Sequence, residues 1–409
     1  MAVANGVGEA APDQWTARGV ALVALCFAIN MADGINVTIL SFVAPRLQAD
    51  WGLSASAMGQ VFSAGLVGMA LGGMFIAPLA DRIGRRVVIL IALALMSGGM
   101  LLSAAARGGL DMAAIRLLVG LGIGTVLAAM AALAAEVAPA CHRNLAVGLV
   151  QAGYPFAAVF TGLVVVALLP GHGWRLLMLG AGALTLALLP AGFALLPRGL
   201  VAGADNAGQG RGMAGLFTPA LRWRTLALWM AVFSGLMVLY FVVSWIPRLA
   251  IAAGLSETNA IYAGALYNLG AFVGTALMSL AALRLPLGRL VPAMLIGAVV
   301  ALMLFGSVHF PVATTLALAF AIGVLLQGGY NGIWPLAAGT YTADIRATGM
   351  GWAIGVGRGG AVIGPLVGGV LMSAHVQLPV LFGTFCVPLA MCALCAWRVE
   401  KWDGLVTHS

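Results

Sequence analysis

Asp33, Arg116 and Arg358 are charged side chains stranded inside long apolar runs. Charge is costly in hydrocarbon unless it meets a partner or a water-filled cavity, so each position is a candidate for function. Asp33 lies in Asn30-Met31-Ala32-Asp33-Gly34-Ile35-Asn36 and is the one acid deep within such a run. Burial disfavours the charged form of a carboxyl, so it can load and release a proton as its surroundings change. The competing reading is a fixed ion pair with Arg116. Arg116 opens Arg116-Leu117-Leu118-Val119-Gly120-Leu121-Gly122-Ile123-Gly124, where glycines at i+4 and i+8 share a helix face and admit a second helix closely. A packing role with a snorkelling arginine fits that pattern. Arg358 lies in Gly355-Val356-Gly357-Arg358-Gly359-Gly360. A guanidinium cannot shed its charge, so it demands an anion, either an internal acid or a substrate carboxylate held bidentately. Substrate binding is the preferred reading. Asn36, Gln151, Tyr154, Gln327 and Asn331 are expected to line the same site, with Tyr240, Trp245, Tyr267, Asn268, Tyr330 and Trp334 as further cavity candidates. Buried amides need partners, whereas Trp and Tyr also anchor at membrane interfaces.

A second cluster is the loop Ala80-Asp81-Arg82-Ile83-Gly84-Arg85-Arg86, four charges in a chain where 8% of residues are charged. So short and basic a segment between two apolar runs reads as a tight cytoplasmic turn, with Gly84 permitting the reversal. Glu136, Arg143, Asp344 and Arg346 stand at the inner ends of the fourth and tenth runs. With Asp81, Arg82, Gly84, Arg85 and Arg86 they form the expected gate on that face, a plain surface charge network being the alternative.

The elements that must position these groups are membrane spans. Of 409 residues 62% are hydrophobic, more than a soluble globular domain uses. Runs of about 20 apolar residues predict twelve helices, at 19–41, 57–80, 87–106, 112–135, 145–168, 175–196, 225–247, 259–281, 290–308, 313–338, 348–372 and 380–397. The fold class is therefore all-α and membrane-embedded. Residues 1–196 form a first six-helix half, 197–224 a central cytoplasmic linker, and 225–409 a second half with a short tail. With the N-terminus inside, fourteen basic residues from Arg18 to Lys401 face the cytoplasm, against Arg46, Arg107, Arg175 and Arg248 outside. That bias puts both termini in the cytoplasm. The halves repeat: Ala134-Ala135 before Arg143 and Gly148 matches Ala337-Ala338 before Arg346 and Gly351 at an offset of 203. The net charge of +8 is explained by loop arginines, so no nucleic-acid partner is expected. Cys26, Cys141, Cys386, Cys392 and Cys395 lack the spacing of a metal or redox site, and no cofactor, metal or enzymatic constellation is predicted.

The loop D-R-x-G-R-R, the helix with R-x-x-x-G-x-x-x-G and the repeated halves resemble the major facilitator superfamily. Asp33-Gly34, Phe42-Val43-Ala44-Pro45, Ser244-Trp245-Ile246-Pro247 and Arg346-Ala347-Thr348-Gly349 leading to Gly351-Trp352 and Gly357-Arg358 are similar to the aromatic acid:proton symporters within it. The resemblance implies alternating-access symport of a small organic acid, an aromatic or related carboxylate, with protons. It implies a multi-pass protein of the bacterial inner membrane, embedded in lipid and functional as a monomer. It adds Arg116 to Asp33 as a proton-coupling residue and Trp352 to the substrate site. The chain departs from the family at Asn36, where a second acid is usual, at Ala77, where Gly is usual, and in a second-half loop, Leu283 to Arg289, without an acid. A proton-driven efflux antiporter would share the fold, though the fifth span has only Gly153-Tyr154-Pro155 where such proteins carry a Gly-Pro motif. A non-transporting receptor would need a signalling domain, for which neither terminus has room.

Overall fold

A computed structural model describes residues 14–197, 213–219 and 221–406; the side chains of Asp81 and Asp344 and most of the expected linker, 198–212, lie outside the described residues. The described chain forms α1 (Ala17–Trp51), α2 (Ala55–Leu71), α3 (Ala80–Ile83), α4 (Arg85–Ser103), α5 (Gly109–Val137) and α6 (Arg143–Leu195). It continues as α7 (Arg222–Ala252), α8 (Glu257–Ala281), α9 (Leu287–Ser307), α10 (Val312–Asn331), α11 (Ile333–Thr340), α12 (Ala343–Ser373) and α13 (Leu378–Val406).

Eleven rods among the described residues are long and apolar enough to cross a bilayer, rather than twelve. The expected fifth and sixth spans run together in α6, which breaks at Gly173 (φ 73°, ψ 171°), a backbone conformation that favours glycine. Counting the arms before and after Gly173 restores twelve crossings. Several boundaries also move. Thr16 caps α1 by accepting from the Gly19 amide at 3.0 Å, and the helix runs to Trp51 rather than 41 because Phe42, Val43, Ala44 and Leu47 remain buried. α2 loosens into a π turn (Gly72–Ile76) and a 3-10 turn (Ala77–Leu79) before α3, and Gly84 (φ 88°) makes the sharp reversal into α4. The tenth span is two pieces, α10 and α11. Pro335 lacks the N–H that would bond the Asn331 carbonyl across the break.

Glycines set the packing. An added Cβ on Gly120 or Gly124 of α5 would collide with the carbonyls of Gly65 and Met69 on α2. Gly270 and Gly274 of α8 meet the carbonyls of Phe320 and Val324 on α10 in the same manner. Gly360 and Gly364 of α12 meet those of Phe233 and Met237 on α7, as Gly34 of α1 meets that of Tyr154 on α6. Side-chain-free faces let backbones approach where lipid offers no hydrophobic force to drive helices together.

One face of the bundle carries the start of α1, the end of α13, the α3–α4 turn and the approach to the linker; Arg46, Arg107, Arg175 and Arg248 lie toward the other face. On that far face the first and second halves are bolted together. Ser41 Oγ donates to the carbonyls of Val243 (2.8 Å) and Ser244 (2.9 Å) on α7. Ser63 Oγ donates to the Val362 carbonyl on α12 at 2.7 Å, and the Ser56 amide donates to Ser373 Oγ at 2.7 Å. Arg46 and Glu257 pair at 3.1 Å on its exposed rim.

Candidate functional site

A cavity of about 440 Å³ opens between α1, α6, α7, α8 and α10, a size typical of small-molecule sites. It reaches from Asp33, midway along α1, to Gly148, Ser279 and Asn331, which lie near helix ends on the terminus face. The far-face bonds between the halves lie beyond its other end, past Asp33.

Its floor is polar and drawn from both halves. Asp33 is 3% exposed, and its Oδ1 has no hydrogen-bond partner. Arg358 lies within electrostatic reach of Asp33, whereas Arg116 bonds the Asn36 backbone carbonyl. Arg358 also lies within electrostatic reach of the Tyr240 hydroxyl. Tyr240 forms part of the wall and Arg358 stands behind it, on α12. Tyr154 of α6 lies within electrostatic reach of Asp33 and Tyr240. Tyr267 and Tyr330, also close to Tyr240, keep hydroxyls without partners. The arrangement is one acid and two phenols at the cavity floor, with one guanidinium and two further phenols close behind.

Higher up, amides line the walls. Asn30 Nδ2 donates to Gln151 Oε1 at 3.2 Å, bridging α1 and α6. Gln327 Nε2 donates to Asn331 Oδ1 at 3.3 Å, and Asn331 Nδ2 to Thr275 Oγ1 at 2.8 Å, bridging α10 and α8. Asn268 Nδ2 turns back to the Gly264 carbonyl at 2.9 Å. Such groups orient a polar ligand while their fixed partners hold them in place.

The structure therefore brings Asp33, Gln151, Tyr154, Gln327 and Asn331 to one cavity, while Arg358 stays outside the lining within electrostatic reach of Asp33 and Tyr240. It does not bring Asn36, Arg116 or Trp352 there. Asn36 and Arg116 line a separate small cavity. Trp352 is 45% exposed and stacks on Trp229 with ring centroids 6.0 Å apart. Trp245 belongs to the far-face seal, donating to the Pro365 carbonyl at 3.1 Å and packing edge-on against Phe62. Wall residues not singled out from the sequence include Met69, Phe272, Thr275 and Ser279. Thr275 and Ser279 are one helical turn apart, a spacing that marks a shared polar face.

On the terminus face, the bonds of the described gate side chains stay within their own halves. Arg85 pairs with Glu136, Arg86 Nη2 donates to the Phe193 carbonyl at 2.6 Å, and Arg143 Nε to the Ala135 carbonyl at 3.0 Å. Arg346 Nε donates to the Tyr341 carbonyl at 3.2 Å, and Arg82 is exposed. None of these bonds crosses from one half to the other, in keeping with a cavity open on that face.

The sequence pattern of the Major Facilitator Superfamily matches residues 25–343. A gallate transporter of Pseudomonas putida is 34% identical, over 91% of this chain and 90% of its own. A 4-hydroxybenzoate transporter, PcaK, of Acinetobacter baylyi is 30% identical, over 94% of this chain and 91% of its own. The crystal structure of a D-xylose-proton symporter superposes with a TM-score of 0.76 at 17% identity, covering 93% of this chain and 97% of that one. The last likeness is one of fold.

Proposed function

This chain belongs to the major facilitator superfamily, and from that premise we propose that it imports hydroxylated aromatic carboxylates together with protons. The observation that carries the reading is the cavity floor, where Asp33 and Tyr240 lie within electrostatic reach of Arg358. An anion entering that floor meets a permanent cation, and a carboxylate leaving water needs such a partner. Phenolic hydroxyls on the substrate have donors and acceptors waiting in Tyr154, Tyr240 and the wall amides. The two relatives named for gallate and for 4-hydroxybenzoate support that chemistry.

Proton coupling follows from competition for Arg358. A charged Asp33 neutralises the guanidinium, whereas a protonated Asp33 leaves it free for the substrate. Loading of proton and carboxylate thus favour one another through a single cation, and reciprocity of the two is a thermodynamic requirement. Arg116 serves this step only as a second buried cation on the α1 side. Alternating access moves the halves, residues 1–196 and 225–409, about the linker 197–224. Both termini face the cytoplasm of a bacterial inner membrane, so the present state is inward-open, and the unit is a monomer. The gate formed by Asp81, Arg85 and Asp344 closes in the opposite state.

The test is uptake of radiolabelled gallate and 4-hydroxybenzoate into proteoliposomes with and without an imposed proton gradient. Concentrative uptake that collapses with a protonophore is expected. Equal uptake in both conditions refutes proton coupling, and absence of uptake for every aromatic acid refutes the substrate class.

A further inference from the structure

We infer that a second, much smaller cavity between α1, α2, α5 and α7 is a binding site for one small monovalent inorganic anion of chloride size, held by Arg116 and Asn36. Arg116 is 4% exposed and Asn36 is wholly buried. Nη1 of Arg116 donates to the Asn36 backbone carbonyl at 2.8 Å and to Met100 Sδ at 3.5 Å. Its Nε and Nη2 have no partner, nor do Nδ2 and Oδ1 of Asn36. Buried polar atoms are almost always satisfied, so three orphaned donors on two neighbouring side chains mark an acceptor as occupant, with Asn36 Oδ1 left for an accompanying water.

Charge says what the occupant is. The ion pairs among the described residues are Arg46–Glu257 and Arg85–Glu136, and Asp33 answers to Arg358. No acid lines the small cavity, whose polar side chains are Asn36, Ser41, Arg116, Tyr240 and Ser244. A guanidinium in this setting is left without a counter-charge, which water alone supplies poorly and an anion supplies directly. Size narrows the choice further. The cavity measures about 50 Å³, room for an ion with a water or two but far below the several hundred Å³ of an organic-ligand pocket. The transported aromatic acid does not fit. Met69, Tyr240 and Val243 belong to the walls of both cavities, so the ion sits directly behind the partition from the substrate site.

The experiment reads ion binding, so its outcome is independent of which acid is transported. Purified protein in detergent is melted at constant ionic strength while sodium gluconate is exchanged for sodium chloride or bromide. Halide is expected to raise the midpoint saturably, by roughly 2–4 °C at concentrations far above its Kd, with gluconate inert. Arg116→Gln and Asn36→Leu should abolish the rise. Equilibrium dialysis of radiolabelled chloride against the native protein, which needs no variant to fold, should count one ion per chain. No bound chloride, an equal rise with gluconate, or a rise that survives Arg116→Gln overturns the proposal. A rise lost only in Arg358→Gln moves the ion to the substrate site and overturns it equally.

Discussion

Asp33 keeps one carboxylate oxygen buried without a partner while Arg358 acts on it from α12. If that oxygen is where the proton loads, Asp33→Asn should abolish gradient-driven accumulation in proteoliposomes yet preserve exchange of external for internal substrate. Full accumulation by this variant removes Asp33 from the coupling step. Arg358 should behave as an anchor acting partly through Tyr240. Arg358→Lys retains charge but loses the planar fork, and Tyr240→Phe removes the hydroxyl nearest to it in the cavity wall. Each should weaken substrate binding about tenfold, the scale of one lost charge-assisted hydrogen bond. Titration of binding in detergent checks this, and unchanged affinity in both variants would shift the anchor elsewhere. Asp33, Gln151 and Asn331 were legible in the sequence because a polar side chain in an apolar run is conspicuous. Thr275 and Ser279 were not, since each hydroxyl also bonds its own helix, at 2.8 and 2.9 Å, as any membrane Thr or Ser does. Arg116 bonds a backbone carbonyl, a partner that residue types do not reveal.

At the scale of elements, small residues decide how near two helices come. Gly124 abuts the Met69 carbonyl, so Gly124→Val must push α5 away from α2. The expected cost is about 1–3 kcal/mol, as for overpacking elsewhere. Thermal unfolding in detergent should register it as a lowered midpoint. Gly98 on α4 faces open space, and Gly98→Ala should leave the midpoint unchanged or slightly raised. Equal melting of the two variants would contradict the packing read from the carbonyl contacts. The glycine spacing of α5 was visible in the chain and its use matches the expectation. The reversal at Gly173 falls in the gap between the expected fifth and sixth spans, 168 to 175, so hydropathy located it although Pro170 to Trp174 carries no charged residue.

For the whole molecule, the far-face bolts predict which conformation can be trapped. The Ser56 amide lies 2.7 Å from Ser373 Oγ, bringing α2 and α12 within reach of a covalent link. Ser56→Cys with Ser373→Cys, made in a background lacking exposed Cys141, should cross-link on oxidation and stop transport, with recovery on reduction. Transport that continues through the cross-link would mean that this seam need not part. Cysteines placed at Gly148, Ser279 or Asn331 should stay open to soluble thiol reagents in the locked form, since these positions border the open cavity.

The same face has one more consequence. Its connections, 52–54, 104–108, 253–256, 308–311 and 374–377, are none longer than five residues, and the turn within α6 at Gly173 is tight as well. An antibody or designed binder approaching from that side finds almost no protruding epitope. Reagents raised against the folded protein should therefore come overwhelmingly from the terminus face, and those that wedge into the cavity mouth would report conformation as well as presence.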